Sequence, residues 1–135
     1  MRRTLAASYF LTAVALIGFG PHMRGLEISQ ATLPDADWAV LAVAGEVDLA
    51  TVPELEHAIK DVLDESTSNL VVDLSNTSFM DSTGLRVLIM ADREFKDEER
   101  SLAILVKPGP ISRLLDVSGM QELLRVIGDT AELGS

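Results

Sequence analysis

Three continuous apolar runs, separated by segments with helical periodicity, constrain the fold of this chain most strongly. The runs cover residues 38–45, 69–75 and 101–108. Each has the length of a strand and lacks the alternation of a half-exposed one, which indicates strands buried on both faces of a sheet. Because helical segments lie between them, the pattern predicts an α/β fold: a single small domain with a mixed, partly parallel sheet of four to five strands packed against helices.

Two longer helices are predicted between the apolar runs. The first covers residues 51–65, and Thr51 with Glu54 three residues later has the pattern of a capping box. The second begins at about Ser82, after a loop at residues 76–80. Helical spacing places two sets of apolar side chains toward the core. They are Val52, Leu55, Ala58, Ile59, Val62 and Leu63 in the first helix, and Leu85, Leu88, Ile89 and Phe95 in the second.

Shorter elements are predicted at the two ends of this pattern. Residues 26–32 are expected to form an edge strand followed by a turn at residues 33–37, and residues 123–128 are expected to close the sheet. Residues 111–120 predict a short helix that Gly119 ends, because glycine readily adopts the left-handed conformation that follows many helices.

The first 25 residues differ in kind from the rest. Residues 1–25 are interpreted as an apolar N-terminal extension, and the domain is predicted to cover residues 26–135. Two arginines precede a mostly apolar run at residues 5–19, which is short for a membrane span and suits the hydrophobic region of a signal peptide. Three interpretations stay open: an export or anchor segment, a working translation start at Met23, or an extra piece packed on the domain.

Charge and composition exclude several classes of function. The net charge is −10, with 11 lysines and arginines against 21 aspartates and glutamates, so the chain lacks the basic face that nucleic-acid binding requires. An acidic domain suits a basic protein surface better, because opposite fields accelerate their encounter. With no cysteine and only two histidines, neither a disulfide nor a metal site is predicted, and no cofactor is expected.

Residues 81–84, Asp-Ser-Thr-Gly, form the most informative polar stretch. They follow the second apolar run and open the second helix, and loops at the carboxyl ends of parallel strands often carry functional groups. In a structural interpretation, Asp81 or Ser82 caps the helix and Gly84 allows tight packing. In a functional one, Ser82 or Thr83 accepts a phosphoryl group. Backbone amides and the helix dipole would tolerate that phosphate, and its charge would act as a switch on partner binding.

Enzymatic interpretations fit these residues less well. The stretch is not the Gly-x-Ser-x-Gly elbow of a serine hydrolase, and no catalytic residue is predicted. Residues 71–77 are similar to phosphatases with an aspartate nucleophile, but Ser75 stands where their second aspartate is needed.

A receiver-like signalling domain is a minor alternative. Its acidic cluster would be Glu46 and Asp48, its phosphoacceptor Asp73 and its lysine Lys107. Only 25 residues separate Asp48 from Asp73, and 34 separate Asp73 from Lys107. Each interval is short of the receiver pattern by most of a strand–helix unit.

Three motifs in order resemble STAS domains, the sulfate-transporter and anti-sigma-factor-antagonist family. Residues 71–89, VVDLSNTSFMDSTGLRVLI, resemble the family signature. Residues 44–59 resemble its first strand-to-helix passage with Gly-Glu-x-Asp, and residues 111–126 resemble its late helix with a Ser-Gly turn. The likeness runs from about residue 26 to residue 128, which is nearly the whole chain after the N-terminal extension.

The resemblance implies an anti-sigma-factor antagonist that works by partner switching. The unphosphorylated form of such a protein binds an anti-sigma factor that is also a serine kinase, which frees the sigma factor. The kinase uses ATP to phosphorylate the first hydroxyl residue of the motif, here Ser82, and a serine phosphatase restores the protein. This cycle implies a cytoplasmic protein that binds neither nucleic acid nor a membrane.

The resemblance also assigns roles around the phosphoacceptor. Thr83 is the neighbouring hydroxyl, Asp81 and Gly84 hold the loop, and Glu46 and Asp48 line the same docking face. Arg86 departs from the small residue usual in the family and is expected to influence partner choice or the phosphorylated state. As an alternative within the family, the domain is a scaffold subunit of a transport or stress-sensing complex that is never phosphorylated.

Overall fold

The computed structural model of the chain describes residues 16–17, 25–33 and 37–133. Within these ranges, six strands and three α-helices follow one another along the chain. In order they are β1 (Leu16–Ile17), β2 (Leu26–Thr32), β3 (Trp38–Val47), α1 (Val52–Glu65), β4 (Asn69–Met80), α2 (Ser82–Asp97), β5 (Leu102–Leu105), α3 (Pro110–Val117) and β6 (Arg125–Ile127). Short 3₁₀ turns at Met120–Glu122 and Thr130–Leu133 complete the described structure.

The strands form one mixed sheet in the order in which they occur in the sequence. The strands β1, β2 and β3 pair antiparallel, whereas β3, β4, β5 and β6 pair parallel. Helices connect β3 to β4, β4 to β5 and β5 to β6, as parallel crossovers require. The predicted α/β fold with a mixed, partly parallel sheet is therefore confirmed.

The strand β1 makes the sheet six-stranded, one strand more than the four to five that the sequence predicts. Its two residues pair with β2 at Ser29 and Ile28, so the predicted edge strand has a short neighbour on its outer side. The predicted signal-like run over residues 5–19 lies outside the described residues except for β1. Within the part of the chain that the structure describes, no helix is long and apolar enough to span a membrane.

The main core lies between the sheet and the three helices. Alternate residues of the strands, such as Leu41, Val72 and Ile104, form one cluster with the apolar faces of α1, α2 and α3. The predicted apolar face of α1 is confirmed residue by residue, since the six side chains expected to face the core are its six buried ones. A smaller cluster, on the other face of the sheet, consists of Leu33, Trp38, Val40, Val71, Ala103, Leu105 and Ile127.

The predicted loop at residues 76–80 is wrong, because these residues continue β4. They pair with the second half of β3, and the register shifts at two β-bulges, between Ala42 and Ala44 and between Gly45 and Glu46. The Thr77 hydroxyl donates to the Val43 carbonyl at 2.8 Å, which adds a side-chain bond to the ladder. Bulges allow an irregular segment to stay paired in a sheet. Because this half of β4 is polar and has no apolar run, its sequence does not predict a strand.

Three other elements, α3, β5 and β6, are shorter than predicted. The helix α3 ends at Val117, and Gly119 with φ of 78° takes the predicted left-handed conformation before a 3₁₀ turn that contains Met120. The strands β5 and β6 cover four and three residues, Leu102–Leu105 and Arg125–Ile127, and are shorter than the runs 101–108 and 123–128. Beyond those ends, the Val106 amide still donates to the Ile127 carbonyl at 3.0 Å, and Val106 and Leu124 are buried whereas Leu123 is exposed.

One buried arginine, which the sequence did not single out, fastens α1 to the rest of the domain. Arg100 donates through its guanidinium to the carbonyl oxygens of Ser68, Leu63 and Val62 at 2.8, 2.9 and 3.2 Å. Its guanidinium carbon also lies 4.6 Å from the centre of the Phe95 ring. A cation among the last carbonyl oxygens of a helix satisfies acceptors that have no partner within the helix.

Candidate functional site

The candidate site lies at the carboxyl ends of the neighbouring strands β3 and β4. Val47 pairs with Met80 at the last position of this ladder, and the Asp81 amide donates to the Val47 carbonyl at 3.1 Å. This bond joins the loop after β3 to the start of α2. The structure thus brings Glu46 and Asp48 to the same end of the sheet as residues 81–86, where the sequence placed all of them.

Asp81 is the N-cap of α2. Its carboxylate accepts from the Thr83 amide at 2.9 Å and also from the Thr83 hydroxyl. The hydrogen bond from the Thr83 side chain is the main cause that lowers the pKa of Asp81 below its ordinary value of 3.8. The cap is therefore an ionised carboxylate at neutral pH, placed at the positive end of the helix dipole.

Ser82 is the first residue of α2, and its side chain is exposed. Its hydroxyl forms no hydrogen bond with any residue that the structure describes. Of the two residues that the sequence offered as the cap, Asp81 has this role and Ser82 does not. The hydroxyl of Ser82 is thus accessible, whereas the hydroxyl of Thr83 is engaged by Asp81.

Gly84 lies where α2 comes closest to the strands below it. A Cβ atom at this position would lie 2.7 Å from the Met80 Cγ and 2.8 Å from the Val47 Cγ1. Both distances are shorter than real carbon–carbon contacts, so a larger residue would push α2 away from the end of the sheet. The predicted packing role of Gly84 agrees with this contact, which sets the height of Ser82 above the strands.

The predicted capping box at Thr51 and Glu54 is wrong. The Thr51 hydroxyl donates to the Glu46 carbonyl at 2.7 Å and accepts from the Asp48 amide at 3.0 Å, and it makes no cap bond to α1. The Asp48 carboxylate accepts from the amides of Ala50 and Thr51 at 3.0 and 3.1 Å. These bonds close the loop between β3 and α1. Asp48 therefore stabilises this loop, a structural role that was not predicted from the sequence.

Two exposed apolar side chains flank these polar groups and were not predicted. Leu49 is 74% exposed at the tip of the loop after β3, and Phe79 is 50% exposed at the end of β4, where it pairs with Glu46. Large apolar side chains that are exposed beside functional groups often mark a surface that a partner covers. The sequence assigned Phe79 to a loop and did not single out Leu49.

Asp73, the phosphoacceptor of the receiver interpretation, is not at this surface. It is only 2% exposed and accepts from the Ser75 amide at 2.9 Å, and burial is the main cause that raises its pKa. In the described ranges, no three acidic or histidine side chains are grouped so that they would hold a metal ion. The receiver interpretation is therefore wrong for Asp73, because a phosphoacceptor has to be reached from solution.

Comparison with known proteins identifies the family of this chain. A family model described as "Mlab, STAS domain" matches residues 33–126, which is more than half of the chain. The chain belongs to the STAS domain family. The match covers β3 through most of β6, and it confirms the resemblance seen in the three sequence motifs.

Proteins named as anti-sigma factor antagonists are among the relatives of this STAS domain. A protein named anti-sigma-B factor antagonist from Staphylococcus epidermidis is 36% identical over 95 residues, which is 70% of this chain and 88% of that protein. An anti-sigma factor antagonist from Mycobacterium paratuberculosis matches in structure with a TM-score of 0.67 and 24% identity, over 78% of this chain and 89% of that one. The Bacillus cell fate determinant SpoIIAA in its phosphorylated form matches with a TM-score of 0.56 and 19% identity, over 80% and 96%. Both of these solved structures have the same fold as this chain.

The stability that the Asp81 cap provides is expected to depend on pH. Because the pKa of Asp81 is lowered in the folded state, the cap stabilises fully above its ordinary value of 3.8 and is lost as pH falls through the lower, folded value. Asp81→Ala should therefore melt at a lower temperature than wild type near pH 7, and the difference should shrink toward about pH 3. Asp81→Asn retains an acceptor without the charge, so its difference from Asp81→Ala should stay constant. If the difference in melting temperature between wild type and Asp81→Ala were also independent of pH, the cap would not be an ionised carboxylate.

Proposed function

We propose that this STAS domain is an anti-sigma-factor antagonist that switches partners through phosphorylation of Ser82. The unmodified domain binds an anti-sigma factor with serine kinase activity and thereby frees a sigma factor for transcription. Phosphorylation of Ser82 by that kinase releases the domain, and a serine phosphatase restores the binding form. The domain is a cytoplasmic binding protein, without catalysis, cofactor or direct contact with nucleic acid.

The observation that carries this proposal is the division of roles at the start of α2. Asp81 caps the helix, which leaves the exposed Ser82 hydroxyl without any local structural task. The name of the Staphylococcus relative supports the antagonist role, and the phosphorylated form of the Bacillus neighbour supports covalent modification. Ser82 is favoured over Thr83 as the phosphoacceptor, because the Thr83 hydroxyl already donates to Asp81.

Electrostatics at this position suit a reversible phosphate. The amide groups at a helix N-terminus and the dipole stabilise negative charge, so the modified domain retains its fold. A phosphate on Ser82 adds bulk and nearly two negative charges at the surface. A partner shaped to fit a neutral hydroxyl would have to desolvate that charge without pairing it, which costs several kcal/mol at an interface. Release then follows without any change of fold.

The partner is proposed to cover the surface around Ser82. This docking face comprises two acidic side chains, two exposed apolar side chains and the start of α2. Leu49 and Phe79 supply the apolar contacts, because covering their exposed apolar surface with a partner removes it from water and favours association. The acidic groups and the net charge of −10 attract a basic partner. The residues of the docking face are Glu46, Asp48, Leu49, Phe79, Asp81, Ser82, Thr83 and Arg86, while the buried Gly84 supports it from below.

Phosphorylation in vitro tests the proposal directly. The domain is incubated with ATP and each candidate anti-sigma kinase, after the kinase has been shown to phosphorylate a known antagonist. We expect a mass gain of one phosphate, located on Ser82 by peptide analysis. Ser82→Ala should show no gain, while Thr83→Ala, the matched control with the neighbouring hydroxyl removed, should still be modified.

An unmodified domain with every active kinase would favour the second candidate function, a scaffold subunit of the same family. The description of the matching family model, "Mlab, STAS domain", does not itself name an antagonist. In that case Leu49 and Phe79 would still contact a partner, but Ser82 would have no regulatory role. A phosphate located on Thr83 would contradict the assignment of Ser82 while leaving the antagonist role in place.

A further inference from the structure

Arg86 is a cation that lies one helical turn from Ser82 on α2. The two residues are four positions apart on α2, so they lie on the same face with about 6 Å of helix rise between them. Both are exposed. Arg86 forms no ion pair or hydrogen bond with any residue that the structure describes, whereas Lys60, Lys96 and Arg100 each pair with a carboxylate.

The geometry of a helix directs Arg86 toward Ser82. Long side chains of helical residues lean toward the N-terminus and cover the preceding turn. For Arg86 that turn is the first turn of α2, and it contains no acidic residue to compete for the guanidinium. The nearest carboxylate in sequence, that of Asp81, accepts its hydrogen bonds from Thr83.

We propose that Arg86 is the intramolecular partner of phosphorylated Ser82, an inference that rests on the proposed function. A serine phosphate presents three acceptor oxygens, and a guanidinium presents a planar fork of donors that can bind two of them together. The pair holds the phosphate along α2 and lowers its effective charge. In the unmodified domain the same guanidinium is free to contact the partner, so phosphorylation removes Arg86 from the docking face while it adds the phosphate.

The second ionisation of the phosphate reports this pair directly. A neighbouring cation favours the doubly charged form and lowers the second pKa of phosphoserine, which is about 6 without neighbours. Phosphoserine is installed at position 82 by genetic-code expansion, so that the measurement does not depend on any kinase. Phosphorus NMR then gives the pKa for the wild-type sequence and for variants of α2.

We expect Arg86→Gln to raise the second pKa of the phosphate by about half a unit relative to the wild-type phosphoprotein. Arg93→Gln is the matched control, since Arg93 is exposed on the same helix but lies 11 residues from Ser82, and it should leave the pKa unchanged. Arg86→Lys retains the charge without the fork and should give an intermediate value. High salt should reduce the difference between wild type and Arg86→Gln.

The two proposals fail in different ways. Equal pKa values for wild type and Arg86→Gln, or an equal shift in Arg93→Gln, would overturn the role of Arg86. Such a result would leave kinase-dependent phosphorylation of Ser82 untouched. Conversely, a domain that no kinase modifies would overturn the proposed function, while the installed phosphate would still show whether the guanidinium binds it.

Discussion

Ser82→Asp is expected to weaken binding of the domain to its anti-sigma factor by about a hundredfold, a loss of roughly 2.7 kcal/mol. The substitution places one permanent negative charge on the exposed first residue of α2. On docking, this charge loses water at a point where the partner accommodates a hydroxyl. The cost of that desolvation can exceed the attraction that a neighbour such as Arg86 provides. The fold should not suffer, because aspartate is favourable in the first turn of a helix.

Isothermal titration calorimetry with the purified anti-sigma factor measures this effect. Ser82→Asn has nearly the shape of aspartate without its charge, and Ser82→Ala removes the hydroxyl alone, so both should bind within a few-fold of wild type. Ser101→Asp adds the same charge at an exposed serine just before β5, at the opposite end of the strands, and should bind normally. Unchanged affinity of Ser82→Asp, with Ser82→Asn equally unaffected, would refute the charge switch.

Gly45→Ala is expected to cause a large loss of stability, about 3 kcal/mol in the free energy of unfolding. Gly45 has φ of 112°, a conformation that residues with a side chain rarely adopt. A Cβ atom there would also lie 2.1 Å from the Gly25 carbonyl oxygen. The backbone at Gly25 would have to move, and the bond that the Glu46 amide donates to this oxygen at 3.3 Å would break.

Denaturant unfolding of the purified variants measures the loss. Gly119→Ala is the matched control, because Gly119 also has positive φ, 78°, but no atom of a more distant residue among those described lies within 4 Å of its Cβ position. That control should lose only about 1 kcal/mol, the cost of the left-handed conformation for alanine. Equal losses in the two variants would mean that the contact with Gly25 is unimportant. A larger loss at Gly45 would explain why glycine precedes Glu46 in the Gly-Glu-x-Asp passage.

Local patterns predicted the elements of this domain well. The apolar face of α1 and the left-handed Gly119 depend on residues close in sequence, and both were found where the sequence indicated. The polar stretch at Asp81 and Ser82 was also placed correctly, at a helix start after a parallel strand. Helical periodicity and capping act over a few residues, so a single sequence carries enough information to identify them.

Contacts between distant residues escaped prediction. The extension of β4 through Met80 depends on pairing with β3 across two bulges, and its residues are too polar for the sequence alone to predict a strand. Thr51 has the pattern of a capping residue, but the Glu46 carbonyl and the Asp48 amide occupy its hydroxyl. Arg100 belongs to a charged surface run in the sequence, whereas the fold buries it under the end of α1.

By itself, the sequence determined that this chain forms an α/β STAS domain and that Asp81-Ser82-Thr83-Gly84 opens its central helix. Tertiary structure alone decided which of these side chains is available. The ladder between β3 and β4 presents Asp81 as the cap, close packing of Gly84 sets the height of α2, and Ser82 is left exposed beside Arg86. The reason is physical: propensity and periodicity are summed over neighbours along the chain, whereas exposure and pairing depend on what the fold brings across space.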